Sequence, residues 1–157
     1  MASLPGSPSS SAITSMDQTT RPGRVLGLDL GDARIGVAVS DDDRRMAVGV
    51  GTVPTGAPED IRAIMSLIDE YSATLVVVGL PLSMNGTRGS EAHKAEAFAG
   101  VLADLLRVPV ELQDERLSTV EAERGLRDAG VAGADRRRAV DRSAAAVILQ
   151  AWLDAHP

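Results

Sequence analysis

The sequence has no cysteine, and its 157 residues include only two histidines. Disulfide bonds, thiolate nucleophiles and zinc sites built on cysteine are therefore excluded, and the composition fits a reducing compartment such as the cytoplasm. His93 and His156 lie far apart in the chain and do not suggest an imidazole site. Carboxylates are the metal ligands that the chain does offer, and they favour hard, oxygen-binding ions such as Mg2+ or Mn2+.

Aromatic residues are also scarce, with one Phe, one Tyr and one Trp, while 44% of the residues are hydrophobic. The core must then be aliphatic, and stacking of bases on aromatic platforms is a poor candidate for nucleic-acid recognition. The net charge of −6 argues against a protein that coats nucleic acid by bulk electrostatics. Residues 116–142 are the exception, because arginines outnumber carboxylates there, although a solvated helix surface explains any one of those arginines equally well.

No run of apolar residues approaches the roughly 18 that are needed to cross a bilayer, so we expect no membrane contact. Residues 1–22 are rich in Ser, Thr and Pro and show neither an apolar period nor the pattern of a secretory signal, which predicts a disordered tail. The length of the rest, residues 23–157, suits a single domain.

Hydrophobic periodicity predicts an α/β domain with the element order β-β-β-α-β-α-β-α-α. The predicted strands are Val25–Leu30, Ile35–Ser40, Met46–Val53, Leu75–Val78 and Val108–Leu112. Helices are predicted from Pro58 to Tyr71, Ala92 to Leu106, Ser118 to Gly130 and Asp135 to Ala155. This order favours a five-stranded mixed sheet, made of a three-strand antiparallel meander plus two parallel strands, flanked by helices.

Asp29 is a carboxylate inside the apolar run Val25–Leu30. The two-residue period of a strand puts it on one face with Val25 and Gly27, opposite the face of the leucines. A carboxylate buried in a sheet is costly unless it is paired or binds a metal ion. Asp29 is therefore a candidate metal ligand, although an aspartate at a strand end also commonly bonds the turn that follows.

Asp141 is a second acidic residue in an apolar setting. It falls on the buried stripe of the last predicted helix, four residues before Ala145 and seven before Ile148. The side chain should then face the sheet. An ion pair with Arg137 or Arg138 at helical spacing would explain the residue equally well.

A third acidic site, Asp114-Glu115, directly follows the predicted fifth strand, where α/β sheets often place reactive groups. The sequence does not decide which of the two carboxylates points inward, and a plain polar loop is also compatible with it. Three carboxylates from distant parts of the chain could converge and bind divalent cations. Two such ions suit phosphodiester cleavage, because they activate a water and stabilise the leaving oxygen without histidine or cysteine.

The segment Gly79–Ser90 joins a predicted buried strand to a helix and is rich in small and polar residues. Its backbone N–H groups, Arg88 and the helix N-terminus could hold a phosphate. It lacks the lysine of a P-loop, so nucleotide hydrolysis by that route is not expected. A flexible turn with a helix cap accounts for the same residues equally well.

Taken together, these blocks resemble the YqgF (RuvX) family of the RNase H-like superfamily, and the likeness covers nearly everything after the tail. It is carried by Gly27–Gly31 with Arg34–Ala38 and Ser40-Asp41, by Gly79–Leu82 with Asn85–Thr87, by Asp114–Thr119, and by Asp141 with Ala144-Ala145 and Ile148–Gln150. Four blocks in the right order make the signal specific. Small departures are Ser118, where the family usually has Thr, and Arg137 or Arg138, where it often has Lys.

The resemblance implies an RNase H-like fold and a nuclease that trims the 5′ end of pre-16S rRNA, with resolution of Holliday junctions or other DNA cleavage as further activities of the family. It selects Glu115 over Asp114, which makes Asp29, Glu115 and Asp141 the implied catalytic metal ligands. Candidate substrate-binding residues from the motifs and the basic stretch are Arg34, Asn85, Arg88, Arg116 and Arg138.

Two other functions stay open at this point. Asp-Leu-Gly in a first hairpin is also the phosphate signature of the actin and sugar-kinase ATPases, although those close two such domains around ATP and only one is expected here. A catalytically weak nucleic-acid-binding assembly factor is the other alternative. The partner expected under either nucleic-acid function is pre-rRNA or structured DNA, and both a monomer and a homodimer are compatible with the sequence.

Overall fold

The computed structural model describes residues 22–82, 85–115 and 133–157, and for residues 133–143 the backbone alone. Its strands are β1 (Arg24–Leu30), β2 (Arg34–Ser40), β3 (Ala47–Pro54), β4 (Ala73–Leu80) and β5 (Val110–Asp114). Its helices are α1 (Glu59–Tyr71), α2 (Ser90–Leu105) and α3 (Gly133–Ala155). The predicted tail up to residue 21 and the predicted helix from Ser118 to Gly130 lie outside these residues.

The five strands form one mixed sheet in the order β3-β2-β1-β4-β5. β1, β2 and β3 pair antiparallel as a meander, while β4 pairs parallel with β1 and β5 pairs parallel with β4. This arrangement confirms the predicted fold class. Each parallel pair is connected through a helix, because the chain must cross back over the sheet to start a parallel strand. β1 lies at the centre of the sheet, so Asp29 stands on its most enclosed strand.

The two faces of β1 enter two different hydrophobic clusters, as its alternating pattern predicts. Leu26 and Leu28 pack in the larger cluster, which includes Ile61 and Ile64 of α1 and Leu102 of α2. On the opposite face, the packed residues are Val25, Ala38, Leu75, Val77, Ala145, Leu149, Trp152 and Leu153. Helix α3 therefore covers the face that Asp29 shares with Val25.

Gly27 explains how α3 can lie close to the centre of the sheet. A Cβ at this position would stand 2.8 Å from Cβ of Leu149, well inside van der Waals contact. Because Cβ of Leu149 is fixed to the helix backbone, it cannot rotate away. The glycine thus allows a closer approach of the helix than any larger residue would.

Polar contacts hold the C-terminal half of α3 to both edges of the sheet. The side-chain amide of Gln150 accepts a bond from the Ala47 N–H (2.9 Å) and donates to the Arg45 carbonyl (2.9 Å). The indole N–H of Trp152 donates to the carboxylate of Glu111 on β5 (3.1 Å). These bonds fix α3 against both edge strands of the sheet.

The fifth strand begins two residues later than its predicted start at Val108. Pro109 has no N–H to donate to the ladder and contributes only its carbonyl, which accepts from the Val76 N–H at 3.0 Å. The shift brings Asp114 into the strand and makes Glu115 the first residue after it. In the described ranges, no helix is both long enough and apolar enough to span a membrane.

Candidate active site

Asp29 lies one residue before the carboxyl end of β1, opposite Gly36 of β2 in the antiparallel ladder. Its side chain is half-buried, whereas the four residues before it are buried. The strand alternation puts it on the α3 face of the sheet. Asp29 thus lies where the central strand leaves the core, and its side chain is partly exposed.

Glu115 reaches the same place from β5. Its N–H donates to the carbonyl of Leu80 (3.2 Å), which continues the pairing of β4 with β5 by one residue. Its carboxylate lies over Gly79, so close that a Cβ there would collide with Oε2 of Glu115 and stand 2.9 Å from Cδ1 of Ile148. Gly79 therefore leaves the space that the Glu115 carboxylate occupies between the sheet and α3.

The choice between Asp114 and Glu115 has a geometric answer. Asp114 is exposed and pairs in register with Leu80, whose side chain belongs to the α1 and α2 face. The next residue points to the opposite face, which is the face of Asp29. The geometry therefore favours Glu115 as the inward carboxylate.

Electrostatics link Glu115 to Asp29. Burial, then the negative charge of Asp29, and then that of Asp114, raise the pKa of Glu115 to about 7. A carboxyl group with neighbours of like charge is costly to ionise unless a cation compensates it. Asp29 and Glu115, which are 86 residues apart in the sequence, thus form one electrostatic unit at the carboxyl ends of the parallel strands.

The third predicted ligand, Asp141, belongs to the helical part of α3, but its side chain lies outside the described residues. Ala145 and Ile148, one and two helical turns later, are buried, and Ile148 reaches Gly79. Among the side chains that the structure describes, no three of the types His, Cys, Asp and Glu are grouped closely enough to hold a metal ion. The structure brings the carboxylates of Asp29 and Glu115 together, and metal binding by these two residues and by Asp141 stays a prediction.

The predicted substrate-binding residues have different surroundings. Arg34 is exposed at the start of β2. Asn85 accepts bonds from the N–H and hydroxyl of Thr87 (3.1 and 2.8 Å) and so shapes its own turn. Arg88 forms an ion pair with Glu96 at 2.9 Å. Arg116 and the side chain of Arg138 lie outside the described residues.

Sequence reasoning did not single out Lys94. Its Nζ lies 3.6 Å from Oδ1 of Asp32, in the turn that directly follows β1, so α2 brings a cation to the carboxylate end of the sheet. The available signal was the helical spacing of Lys94, Phe98 and Val101, a stripe beside the buried alanines of α2. The sequence alone does not show that this stripe meets the β1–β2 turn.

Comparison with known proteins places the chain among nucleases. A sequence model of the family described as "RuvX: Holliday junction resolvase" matches residues 23–155. A protein of Anaeromyxobacter dehalogenans (strain 2CP-C) is 54% identical over 83% of this chain and 96% of its own length. A protein of Myxococcus xanthus (strain DK1622) is 50% identical over 85% of this chain and 89% of its own length. Both carry the name "Putative pre-16S rRNA nuclease".

Among solved structures, the chain is similar in fold to Thermus thermophilus RuvC, whose structure was determined in complex with a Holliday junction substrate. The TM-score is 0.50 with 19% sequence identity, over 85% of this chain and 94% of that one. At this identity the likeness concerns the fold alone, and it agrees with an RNase H-like sheet.

Proposed function

Because this chain belongs to the RuvX family, we propose that it is a metal-dependent nuclease that hydrolyses phosphodiester bonds in the 5′ leader of pre-16S rRNA. The names of relatives about half identical over most of the chain support the substrate. The meeting of Asp29 and Glu115 over Gly79 supports the site. Because such a substrate is a ribosomal precursor, we expect the protein to act in the cytoplasm. Both a monomer and a homodimer are compatible with this function.

The donor set fits a hard divalent cation. Carboxylate oxygens are the ligands that Mg2+ and Mn2+ prefer, and two carboxylates that raise each other's cost of ionisation are stabilised by a cation between them. We propose that Asp29, Glu115 and Asp141 together hold two such ions. When bound, such ions lower the pKa of a water and stabilise the charge on the phosphate and on the leaving oxygen.

The residues of the chain provide position and shielding. The Leu80 carbonyl fixes the Glu115 backbone, and Gly79 lets its carboxylate lie between sheet and helix. Packing of Ile148 beside it keeps water from one side of the carboxylate. Arg34, exposed beyond the β1–β2 turn, is placed to bind a substrate phosphate.

Cleavage of DNA junctions is the second candidate. The family description and the RuvC-like fold favour it, and the same carboxylates would serve both reactions. ATP binding without cleavage of any nucleic acid would instead favour the actin and sugar-kinase alternative, and nucleic-acid binding without cleavage the assembly factor.

The test is a cleavage assay of the purified full chain on a 5′-extended 16S leader RNA, single-stranded DNA and a four-way junction, with Mg2+, Mn2+ or EDTA. We expect metal-dependent cleavage of the RNA, and its loss in Asp29→Asn, Glu115→Gln and Asp141→Asn without loss of folding. Asp104→Asn removes an exposed carboxylate of α2 and serves as the matched control. Unchanged cleavage in the three site variants would refute the proposed site.

A further inference from the structure

A second concave site lies at the same end of the sheet as Asp29, but on the face of α1 and α2. It is a cavity of about 450 Å³ beside the β1–β2 turn. Its lining includes Leu30, Asp32, Thr55, Lys94, Phe98 and Val101. The volume is in the range of pockets that hold small organic groups. We call it the turn cavity.

The floor of the turn cavity is apolar and contains a ring. Phe98 is half-buried, and Val101 beside it keeps 45% of its surface exposed. Phe98 is the single phenylalanine of the chain. The ring of Trp152 is already stacked on His156 with centroids 4.0 Å apart, and Tyr71 ends α1. Phe98 is thus one aromatic ring beside the carboxyl end of β1, enough to stack a single base, although the chain has too few aromatic residues for a platform of several bases.

The rim of the cavity is polar and leads back to the active site. Leu30, the residue after Asp29, lines the cavity together with Gly31 and Asp32 of the turn, so the cavity adjoins the end of the strand that carries the candidate catalytic carboxylate. Arg34 is exposed on the far side of that turn, and Lys94 stands on the rim. A nucleic-acid strand that crosses the turn could therefore contact both cations.

The charges on the rim decide what can enter. Both oxygens of the buried Asp60 accept backbone N–H groups, of Gly56 (3.1 Å) and Ile61 (2.7 Å), so they are already engaged. Lys94 is shared between Asp32 (3.6 Å) and Glu91 (3.3 Å). A phosphate inside the cavity would have to displace these partners, whereas an uncharged flat ring can rest on Phe98 and leave its phosphates outside, near Lys94 and Arg34.

We propose that the turn cavity takes one unpaired base of the substrate strand, stacked on Phe98, while Arg34 and Lys94 contact the adjoining phosphates. The assignment rests on the proposed nuclease function and adds its substrate class: a strand with at least one unstacked base beside the scissile phosphate. A base held in a duplex cannot stack on Phe98, since both of its faces are covered by its neighbours. Rim carboxylate Asp32 is placed to accept from an exocyclic amino group.

The single phenylalanine makes a direct test possible. Full chain labelled with 4-fluorophenylalanine carries one fluorine reporter, at residue 98. In EDTA, where cleavage is not required, we expect hexa-adenylate RNA to shift the 19F resonance saturably. The same hexamer with abasic sugars, which keeps the phosphates, should leave the resonance in place. Absence of a shift at a hexamer concentration that saturates binding by fluorescence anisotropy would overturn the proposal.

Variants test the two parts of the contact separately. Phe98→Leu should weaken hexamer binding about tenfold, in the range of one lost base stack. Lys94→Gln should lower the slope of log affinity against log salt by about 0.7, the value for one phosphate contact on a single strand. Tyr71→Leu is the matched control, because it removes an aromatic ring at the end of α1 that lies away from the turn cavity. It should change neither the affinity nor the salt slope. Equal weakening by Phe98→Leu and Tyr71→Leu would count against a specific stack.

The outcomes separate this proposal from the nuclease proposal. A fluorine shift without cleavage of any substrate would keep the base site and refute the enzyme. Cleavage without a shift would do the reverse. A shift with adenosine monophosphate as strong as with the hexamer would overturn the proposal in favour of a site for free nucleotides. With an active enzyme, Phe98→Leu should raise KM on single-stranded RNA with little change in kcat.

Discussion

The carboxylate of Glu115 occupies the space in which a side chain at position 79 would begin, and Gly79 leaves that space free. Gly79→Ala is therefore expected to displace Glu115 rather than to unfold the sheet. We expect a loss of activity on the order of 100-fold, the scale of a displacement of about 1 Å at a catalytic group. The loss of stability should be about 1–3 kcal/mol, as for overpacking.

Gly100→Ala on α2 is the control for this substitution. Nothing lies within 4 Å of the position that its Cβ would take. The control should stabilise the protein by about 0.5–1 kcal/mol, because alanine favours a helix interior, and should leave cleavage unchanged. Cleavage rates and urea denaturation of both variants are the measurements, and full activity of Gly79→Ala would show that Glu115 is not held as described.

Glu115 should also make the stability of the metal-free protein depend on pH. Its pKa is raised from 4.5 to about 7 in the folded protein, first by burial and then by Asp29 and Asp114. The folded state then keeps a proton that the unfolded state has lost, so this stabilisation is present at acidic pH and disappears as pH rises through the folded pKa. Relative to Glu115→Gln, wild type in EDTA should lose thermal stability between about pH 5 and pH 8 and then level off.

Thermal melts of both proteins across that pH range provide the measurement. In an Asp29→Asn background the decline should move to lower pH, because one of the two acidic neighbours is removed. Saturating Mn2+ should reverse the trend, since a bound cation favours the ionised carboxylate. A difference that stays flat or grows with pH would contradict the coupling.

Gly27→Ala should weaken the packing of α3 on the sheet. The added methyl group would stand 2.8 Å from Cβ of Leu149, so the helix must move away. We expect a loss of about 1–3 kcal/mol in the free energy of unfolding. In the double variant Gly27→Ala with Leu149→Ala, the alanine at position 149 still has the Cβ that the new methyl group meets. Part of the loss in the free energy of unfolding should therefore persist. A cost that is fully additive with that of Leu149→Ala, measured in a double-mutant cycle, would show that the two residues do not interact.

Gln150→Ala should loosen the contact between α3 and β3. It leaves the Ala47 N–H and the Arg45 carbonyl without the amide that now bonds both. A cost of about 1–2 kcal/mol is expected, as for two hydrogen bonds of ordinary strength. Hydrogen exchange at the Ala47 amide should accelerate in step. Gln113→Ala, which removes an amide that donates to the neighbouring Asp114 carbonyl, should leave the Ala47 amide unchanged.

Much of the fold could be predicted because the strands have a strict two-residue period. Leu26 and Leu28 enter one cluster and Val25 the other, as the pattern of β1 indicates. The start of β5 was predicted two residues too early, since its apolar residues begin at Val108 but Pro109 lacks the N–H for the ladder. The end of β5 was likewise predicted two residues too early, at Leu112 instead of Asp114, and that end adjoins Glu115.

The candidate site could be predicted less fully than the fold. Asp29 stood out as a charge in an apolar strand, but the orientation of Glu115 depends on which residue ends β5, and that is set by pairing with β4. The turn cavity could not be predicted at all, because its walls come from the β1–β2 turn, the segment before α1 and the exposed stripe of α2. Contacts between such distant segments leave no local periodicity.

The amide of Gln150 also bears on how the exposed edge of the sheet is covered. β3 is an edge strand, and Met46 and Val48 beside it are 65% and 53% exposed, a combination that invites other chains to extend the sheet. A side-chain amide has the same donor and acceptor as a peptide group. By bonding the Ala47 N–H and the Arg45 carbonyl, Gln150 fills the first rung of that edge, and docking of α3 thereby guards the sheet against aggregation.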